Sequence, residues 1–299
     1  MNKNQKRITL LTLAVILIVT ATSVLAIILE DGGSPYRYLS LRGDEVQIYG
    51  GRGMYAYNTV EYALMMRAYD WCYLIYGVPL LVIGLVLFLK KSMIGSYIML
   101  SVYFFLFYNF YITSMSISFN PFFLLYLIVF VISFIVILLI MKEISFRQIT
   151  AEILPKLPVK TISIFVLFLA AYFLISWLSI DIKTFITGEN HPDLGIYTTA
   201  TFNVIDLSIY VPLSITSAIL LLRKKPLGAI LSVMLMLGAF YTLSALSVFT
   251  FMNMAYHELG IADVEFMLII FAVVCFVFSL ISVRRLCGLK YMAQTNTGN

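Results

Sequence analysis

The chain has 299 residues, of which 62% are hydrophobic and only 12% are charged. Soluble domains average about 45–50% apolar and about 25% charged residues, so this composition excludes an ordinary soluble protein and indicates that lipid surrounds much of the chain. The formal net charge of +5 does not indicate nucleic-acid binding, because the basic residues concentrate in short turns between apolar segments, where anionic lipid headgroups attract them.

Eight apolar segments, nearly free of charge, predict transmembrane helices, because a chain in lipid must satisfy its backbone polar groups internally. They cover residues 8–29, 71–89, 93–116, 121–141, 161–180, 207–222, 227–252 and 266–283. We therefore expect an all-α polytopic membrane protein with about eight transmembrane helices.

The first apolar segment has two interpretations. Lys3, Lys6 and Arg7 precede it and residues 24–26 offer a small-residue cleavage site, as in a secretory signal peptide. Its apolar run is longer than the about 7–15 residues of a signal peptide, and we interpret it as a retained span.

The distribution of Lys and Arg predicts the orientation of the spans, because cytoplasmic loops retain these residues. All but five of the 20 Lys and Arg residues fall on one side of the predicted spans, and most carboxylates fall on the other. The five exceptions are Arg37, Arg42, Arg52, Arg67 and Lys183. We therefore predict that both termini are cytoplasmic and that membrane lipids are the main partners.

An internal repeat is predicted when Pro79 is placed on Pro212. The same register, without a gap, aligns Val78 with Val211, Leu80 with Leu213, Lys90-Lys91 with Arg223-Lys224, Gly95 with Gly228, and Phe107-Tyr108 with Phe240-Tyr241. Convergence on a generic pattern of apolar helix, basic turn and apolar helix is the alternative explanation. A genuine repeat predicts two parallel four-helix halves, residues 1–160 and 161–299, with helix kinks at the two prolines.

A long outer loop follows the first span of each half, at residues 30–70 and 181–206. Alternating residues around Gly43 and around Gly50 predict a small β-hairpin in the first loop. We expect each loop to cap its own bundle. Seven tyrosines in the first loop favour an interfacial aromatic belt over a ligand cage: Tyr36, Tyr38, Tyr49, Tyr55, Tyr57, Tyr62 and Tyr69.

A family resemblance is carried by residues 40–50 (SLRGDEVQIYG), 53–55, Arg67, Asp70 and 78–80, and in the second half by Asp206, 211–213 and the Arg223-Lys224 turn. In these residues the chain resembles a family of uncharacterised bacterial multipass integral membrane proteins. The resemblance covers most of the chain and implies a bacterial cytoplasmic membrane. It implies no activity, cofactor or substrate.

Four polar residues near the predicted kinks are candidate ligand-binding residues: Asp70, Asn109, Asn203 and Asp206. Asp70 and Asp206 lie at the outer entrances of the second and sixth predicted spans, where they could line a cavity between the halves. The alternative is structural, with Asp70 paired to Arg67 one helical turn earlier and Asp206 capping a helix. The centres of the predicted spans hold no Asp, Glu, Lys, Arg or His, which argues against a proton relay through the bilayer.

The chain has only two histidines, and neither lies in a recognised metal-binding or catalytic motif. His191 lies near Asp193 and His257 lies next to Glu258, but neither pair has the spacing of a zinc site. We interpret both as solvated loop residues and predict no metal, no cofactor and no catalytic residue.

Three functions remain open from the sequence. The preferred one is small-molecule transport or binding through a cavity between the two helical halves, with an unidentified ligand. The second is an accessory or sensory subunit that engages another membrane protein. The third is an enzyme of the outer leaflet that acts on a lipid-linked substrate, although the missing motifs make an enzyme the less favoured class.

Overall fold

The computed structural model describes residues 2–29, 34–144, 146, 149–150, 154–192, 194–258 and 266–284. Within these ranges the fold consists of eight long helices and one two-stranded antiparallel hairpin, which confirms the predicted all-α polytopic architecture. The helices are α1 (Lys3–Ile28), α2 (Val60–Leu89), α3 (Met93–Ser116), α4 (Phe123–Glu143), α5 (Val159–Thr187), α6 (Thr201–Leu222), α7 (Pro226–His257) and α8 (Phe266–Arg284). The strands are β1 (Tyr36–Leu39) and β2 (Glu45–Ile48).

The helices α1 to α7 are each long and apolar enough to cross a membrane. The last helix, α8, has a shorter apolar stretch at Phe266–Ser282. About 20 residues are needed to cross a hydrocarbon layer of about 30 Å, so the lengths support a multipass membrane protein.

Helices α3 and α7 form the centre of the bundle. Their apolar windows are 83% and 78% buried, whereas no other spanning helix exceeds 44%. The two central helices contact each other, and each also packs against the helices before and after it in the chain. The peripheral helices therefore present apolar surface to lipid, while the central pair lies inside protein.

The α2–α3 and α6–α7 turns have the same backbone geometry. Lys91 has φ 61 and Lys224 has φ 53, both in the left-handed region. In each turn this lysine donates its N–H to the carbonyl three residues earlier at 2.8 Å. A left-handed residue at this position satisfies a carbonyl at the end of the preceding helix.

A glycine follows each of these turns at a point of close helix contact. A Cβ atom on Gly95 would lie 2.3 Å from the backbone nitrogen of Phe88, and one on Gly228 would lie 2.3 Å from that of Leu221. The alignment that places Pro79 on Pro212 also places Gly95 on Gly228 and Phe88 on Leu221.

Two π-helical segments, Tyr73–Gly77 and Asp206–Tyr210, interrupt α2 and α6 just before Pro79 and Pro212. In each, the residue before the proline donates its N–H to the carbonyl five residues back. Proline lacks an N–H and crowds the preceding turn, so a widened turn relieves the local conflict. Each π-helical segment therefore lies at a position where the sequence predicts a helix kink.

The predicted β-hairpin is confirmed, with β1 paired to β2 and Gly43 at φ 87 in the connecting turn. The turn contacts the loop between α5 and α6. Arg42 Nη1 donates to the Tyr197 carbonyl at 2.9 Å, and Asn190 Nδ2 donates to Asp44 Oδ1 at 2.8 Å. The two loops therefore contact each other, a contact that the sequence analysis does not predict.

The contact between the loops also fixes the relative direction of the helices. Because α2 and α6 begin at the two loops, both start at the same end of the bundle. The basic turns that follow them, at Lys90 and Arg223, consequently lie together at the opposite end.

Candidate functional site

A cavity of about 700 Å³ lies between helices of residues 1–160 and helices of residues 161–299. Helices α2 and α3 supply one part of its wall, α5, α6 and α7 supply the other, and residues of β2 and of the second loop line the end nearest the two loops. Phe104 and Gly238 lie at the opposite end, where a Cβ atom on Gly238 would approach the Phe104 ring to 2.7 Å. Small-molecule sites commonly have about 300–1,000 Å³, so the cavity has a suitable size.

The cavity wall is aromatic and acidic. Its rings are those of Tyr62, Tyr69, Phe104, Tyr108, Phe173, Trp177, Tyr197, Phe202, Tyr210 and Phe249. Every charged residue in the described lining is a carboxylate, namely Glu45, Glu61 or Asp206. Glu45 forms an exposed ion pair with Arg37 at 3.0 Å and Glu61 is exposed, whereas Asp206 is buried.

Asp206 is held in the wall by two hydrogen bonds from aromatic side chains. The Tyr108 hydroxyl donates to Oδ1 at 2.8 Å, and Trp177 Nε1 donates to Oδ2 at 2.7 Å. The carboxylate is only 2% exposed, and no basic side chain in the described part of the chain lies within ion-pair distance of it. A carboxylate can accept about four hydrogen bonds, so Asp206 retains capacity to bind a donor from a ligand.

Asp206 does not lie at the start of its helix, where the alternative interpretation placed it as a capping residue. The N-cap of α6 is Ala200, and Asp206 begins the π-helical segment inside the helix. The suggestion that Asp206 caps a helix is therefore wrong. π-Helical turns occur frequently at functional sites, because the extra residue displaces the local side chains from regular helical positions.

Tyr69 adds an unsatisfied polar atom to the wall. Its side chain lines the cavity and is 2% exposed, and its hydroxyl has no hydrogen-bond partner within the described residues. Burial of an unpaired hydroxyl costs about 1–3 kcal/mol. A ligand or a water molecule in the cavity would remove this cost.

Asn203 connects the cavity wall to a buried polar group. Its Nδ2 donates to Asp181 Oδ1 at 2.9 Å and lies 3.4 Å from His191 Nε2, which is itself 3.3 Å from Asp181 Oδ1.

His191 is 6% exposed, so its interpretation as a solvated residue is wrong, whereas His257 is exposed. Asp193 lies outside the described residues. The described residues contain no cluster of three or more His, Cys, Asp or Glu side chains that could hold a metal ion.

Asp70 lies inside the first half, outside the cavity lining. The Tyr55 hydroxyl donates to its Oδ2 at 2.5 Å, while Arg67 Nη1 donates to the Tyr49 hydroxyl at 2.8 Å. Burial, followed by the nearby Asp70 carboxylate, raises the pKa of Tyr55 well above its usual value. Tyr55 therefore stays protonated and acts as a hydrogen-bond donor to Asp70.

Asn109 is buried on α3 and also lies outside the cavity lining. Its Nδ2 donates to the Phe105 carbonyl at 2.8 Å, within its own helix. Of the four candidate residues, the structure brings Asn203 and Asp206 together in the wall and places Asp70 and Asn109 elsewhere.

Three aromatic residues of the site were not selected from the sequence. The rarity of tryptophan could have indicated Trp177 as a candidate, because the chain has only two tryptophans. Tyr108 belongs to an aromatic pair of the proposed repeat, and Tyr69 was grouped with the interfacial tyrosines. That interpretation suits the exposed Tyr36, Tyr38 and Tyr57, but it is wrong for the buried Tyr49, Tyr55, Tyr62 and Tyr69.

Comparison with known proteins provides no function for the chain. No protein-family model, curated protein or solved structure matches the chain. What the protein binds has to be inferred from the residues of its own cavity wall.

Proposed function

We propose that the protein binds a small molecule in the cavity between its two helical halves and transports it across the bacterial cytoplasmic membrane. The observation that carries the proposal is Asp206, a buried carboxylate with remaining hydrogen-bond capacity in the wall of a cavity of about 700 Å³. A buried ionisable group in a membrane span is energetically costly, and such groups commonly mark substrate pathways.

The proposal includes an internal repeat of residues 1–160 and 161–299. The matching left-handed lysines, the matching close contacts of Gly95 and Gly228 and the paired π-helical segments support it. Many transporters are built from two such repeats and bind substrate at the interface between them. The cavity of this chain lies at the equivalent place.

The proposal also includes an orientation. With the basic turns in the cytoplasm and both termini on that side, the two contacting loops face the outside. The cavity then extends inward from the outer loops, and the contact between Phe104 and Gly238 closes its inner end. This arrangement corresponds to the outward-facing side of an alternating-access cycle.

The experiment is uptake by proteoliposomes that contain the purified protein. Radiolabelled organic cations, neutral aromatic compounds and organic anions are compared, and we expect uptake of at least one class about tenfold above protein-free liposomes. Ala239→Trp, which places an indole in the cavity, should reduce uptake to background. Val248→Trp is the matched control, because Val248 lies on the same helix and is 37% exposed on the bundle surface.

Two outcomes separate the proposal from its alternatives. Uptake that Ala239→Trp leaves unchanged would show that the cavity is not the route. Absence of binding and uptake for all three classes, together with stable co-purification of another membrane protein, would favour an accessory or sensory subunit. Asp206→Asn should reduce uptake, whereas Asp70→Asn should retain it, because Asp70 lies outside the cavity lining.

A further inference from the structure

We infer that the ligand of the cavity is a monovalent organic cation with an aromatic or branched apolar body. This inference rests on the proposed function, because it specifies the class of molecule that the same cavity takes. It follows from the charge, the rings and the size of the cavity wall.

The charge of the wall favours a cation. All charged residues in its described lining are acidic, and Asp206 is buried without a basic partner in the described ranges. A buried carboxylate is stabilised by an opposite charge, and because no described residue brings that charge into the cavity, a cationic ligand would supply it. An anionic ligand would instead meet an uncompensated carboxylate.

The aromatic rings around Asp206 provide the second part of the recognition. Trp177 and Tyr108 donate to the carboxylate from their polar atoms, and both residues also line the cavity. Phe173 and Tyr210 form a perpendicular pair in the wall, with ring centroids 5.1 Å apart. Aromatic faces attract cations, and binding sites for substituted ammonium groups commonly combine several rings.

Tyr69 can complete the contacts of an ammonium group. Its hydroxyl oxygen has no hydrogen-bond partner among the described residues and can accept an N–H from the ligand. Asp206 can accept a second N–H, because Tyr108 and Trp177 use only part of its capacity. The wall therefore offers an anionic acceptor and a neutral acceptor next to aromatic faces.

The size and chemistry of the cavity exclude a simple metal cation as the preferred ligand. Alkaline-earth ions are bound by six or more oxygen atoms at short distance, whereas most of this wall is aromatic or aliphatic. A space of about 700 Å³ accommodates a drug-sized organic molecule rather than a bare ion. The apolar body of the ligand would occupy the region near Leu243, Leu246 and Phe249.

The charge and the apolar body of the ligand are tested by equilibrium binding of radiolabelled tetraphenylphosphonium, which carries no N–H group, to the purified full-length protein in detergent. Tetraphenylborate has nearly the same shape and the opposite charge, so unlabelled tetraphenylborate is the matched competitor. We expect saturable binding of the cation at one site per chain, displacement by unlabelled tetraphenylphosphonium and no displacement by tetraphenylborate. Asp206→Asn should weaken binding at least tenfold.

A control variant separates the role of Asp206 from the general loss of a buried carboxylate. Glu143 is 7% exposed and accepts hydrogen bonds from Asn2 and Asn4, far from the cavity wall. Glu143→Gln should retain binding within about twofold of the wild type. Trp177→Leu, which removes a ring and a donor but no charge, should weaken binding severalfold.

The possible results distinguish this inference from the proposed function. If neutral or anionic compounds enter the cavity and Ala239→Trp blocks them, while tetraphenylphosphonium does not bind, the inferred ligand class is wrong and the proposed function stands. If no class binds the wild-type protein, both fail. If Asp206→Asn does not fold, the competition between the two isosteric ions on the wild-type protein still decides the charge preference.

Discussion

Two tyrosines of α3 donate hydrogen bonds to acceptors of different charge. Tyr108 donates to the carboxylate of Asp206, and Tyr103 donates to the hydroxyl of Thr12, each at 2.8 Å. Both tyrosine side chains are buried. A hydrogen bond to a charged acceptor is stronger than one between neutral groups, so the two residues offer a matched comparison.

Replacement of each tyrosine by phenylalanine tests the charge state of Asp206. We expect Tyr108→Phe to destabilise the protein by about 1.5–3 kcal/mol and Tyr103→Phe by about 0.5–1.5 kcal/mol. Thermal unfolding of the two variants in the same detergent, compared with the wild type, measures the difference. Equal losses would indicate that Asp206 carries no charge when the cavity is empty.

The sequence could identify part of the site at the level of single residues. Asn203 and Asp206 were candidates because polar groups at a membrane span are functional candidates and these two lie close to a proline kink. Trp177 and Tyr108 were not, because aromatic residues are common in membrane helices and their role depends on which face of the helix they occupy. Asp70 and Asp206 looked equivalent, yet the register of the prolines aligns Asp70 with Asn203.

At the level of helices, the close contacts after the two basic turns determine how α2 meets α3 and how α6 meets α7. A Cβ atom at Gly95 or Gly228 would lie 2.3 Å from the backbone of the preceding helix. Backbone atoms cannot move aside as a flexible side chain does, so the helices would have to separate. Small residues at such positions allow close helix packing in membranes.

We expect Gly95→Ala and Gly228→Ala each to destabilise the protein by about 1–3 kcal/mol. Gly77→Ala is the matched control, because a Cβ atom there would find its nearest neighbour at 3.7 Å. The yield of monodisperse protein and its thermal unfolding in detergent measure the effect. A marked loss at only one of the first two positions would argue against equivalent packing in the two halves.

The helices were predictable from the sequence because apolar runs and their limits are local properties. The third span was predicted at residues 93–116, and α3 is Met93–Ser116. The second span was predicted from residue 71, and α2 also includes residues 60–70, whose Glu61 and Arg67 do not have the composition of a lipid-facing segment. The π-helical segments were not predictable, because they depend on how the chain relieves strain before proline.

For the molecule as a whole, the contact between the outer loops covers the outer end of the cavity. Asp44 and Asn190 belong to different halves, and their side chains are joined by a hydrogen bond of 2.8 Å. Asn190 is exposed and Asp44 is partly exposed, so cysteines at these positions are accessible to reagents. Residues near both sides of this contact line the cavity, among them Glu45 and Pro192.

We expect a short thiol cross-link between Asp44→Cys and Asn190→Cys to slow ligand entry at least tenfold, because the loops could no longer separate. The native cysteines are replaced by alanine, and each single cysteine variant is the control. The rate of tetraphenylphosphonium binding before and after cleavage of the cross-link measures the effect. An unchanged rate would mean that the ligand enters between the helices instead.

The packing of residues 1–160 against residues 161–299 was the feature that the sequence predicted least well. A cavity between them was expected from the repeat, but its wall depends on the rotation of five helices about their axes. The loops contact each other through Arg42 and Tyr197, which are far apart in the sequence and carry no local signal of contact. Contacts between distant segments depend on the assembled bundle, whereas spans and turns depend on neighbouring residues.

The position of Asp206 along α6 determines how strongly the membrane potential acts on a bound cation. The segment from Asp206 to the end of the helix at Leu222 is about 24 Å long. In the orientation that we propose, a cation beside Asp206 in a hydrocarbon layer of about 30 Å would therefore have crossed only about a fifth of the electric field from the outside. One full charge corresponds to about 2.3 kcal/mol per 100 mV, so 100 mV changes the binding free energy by only about 0.5 kcal/mol. About four fifths of the electrical driving force would remain for the step that carries the cation inward.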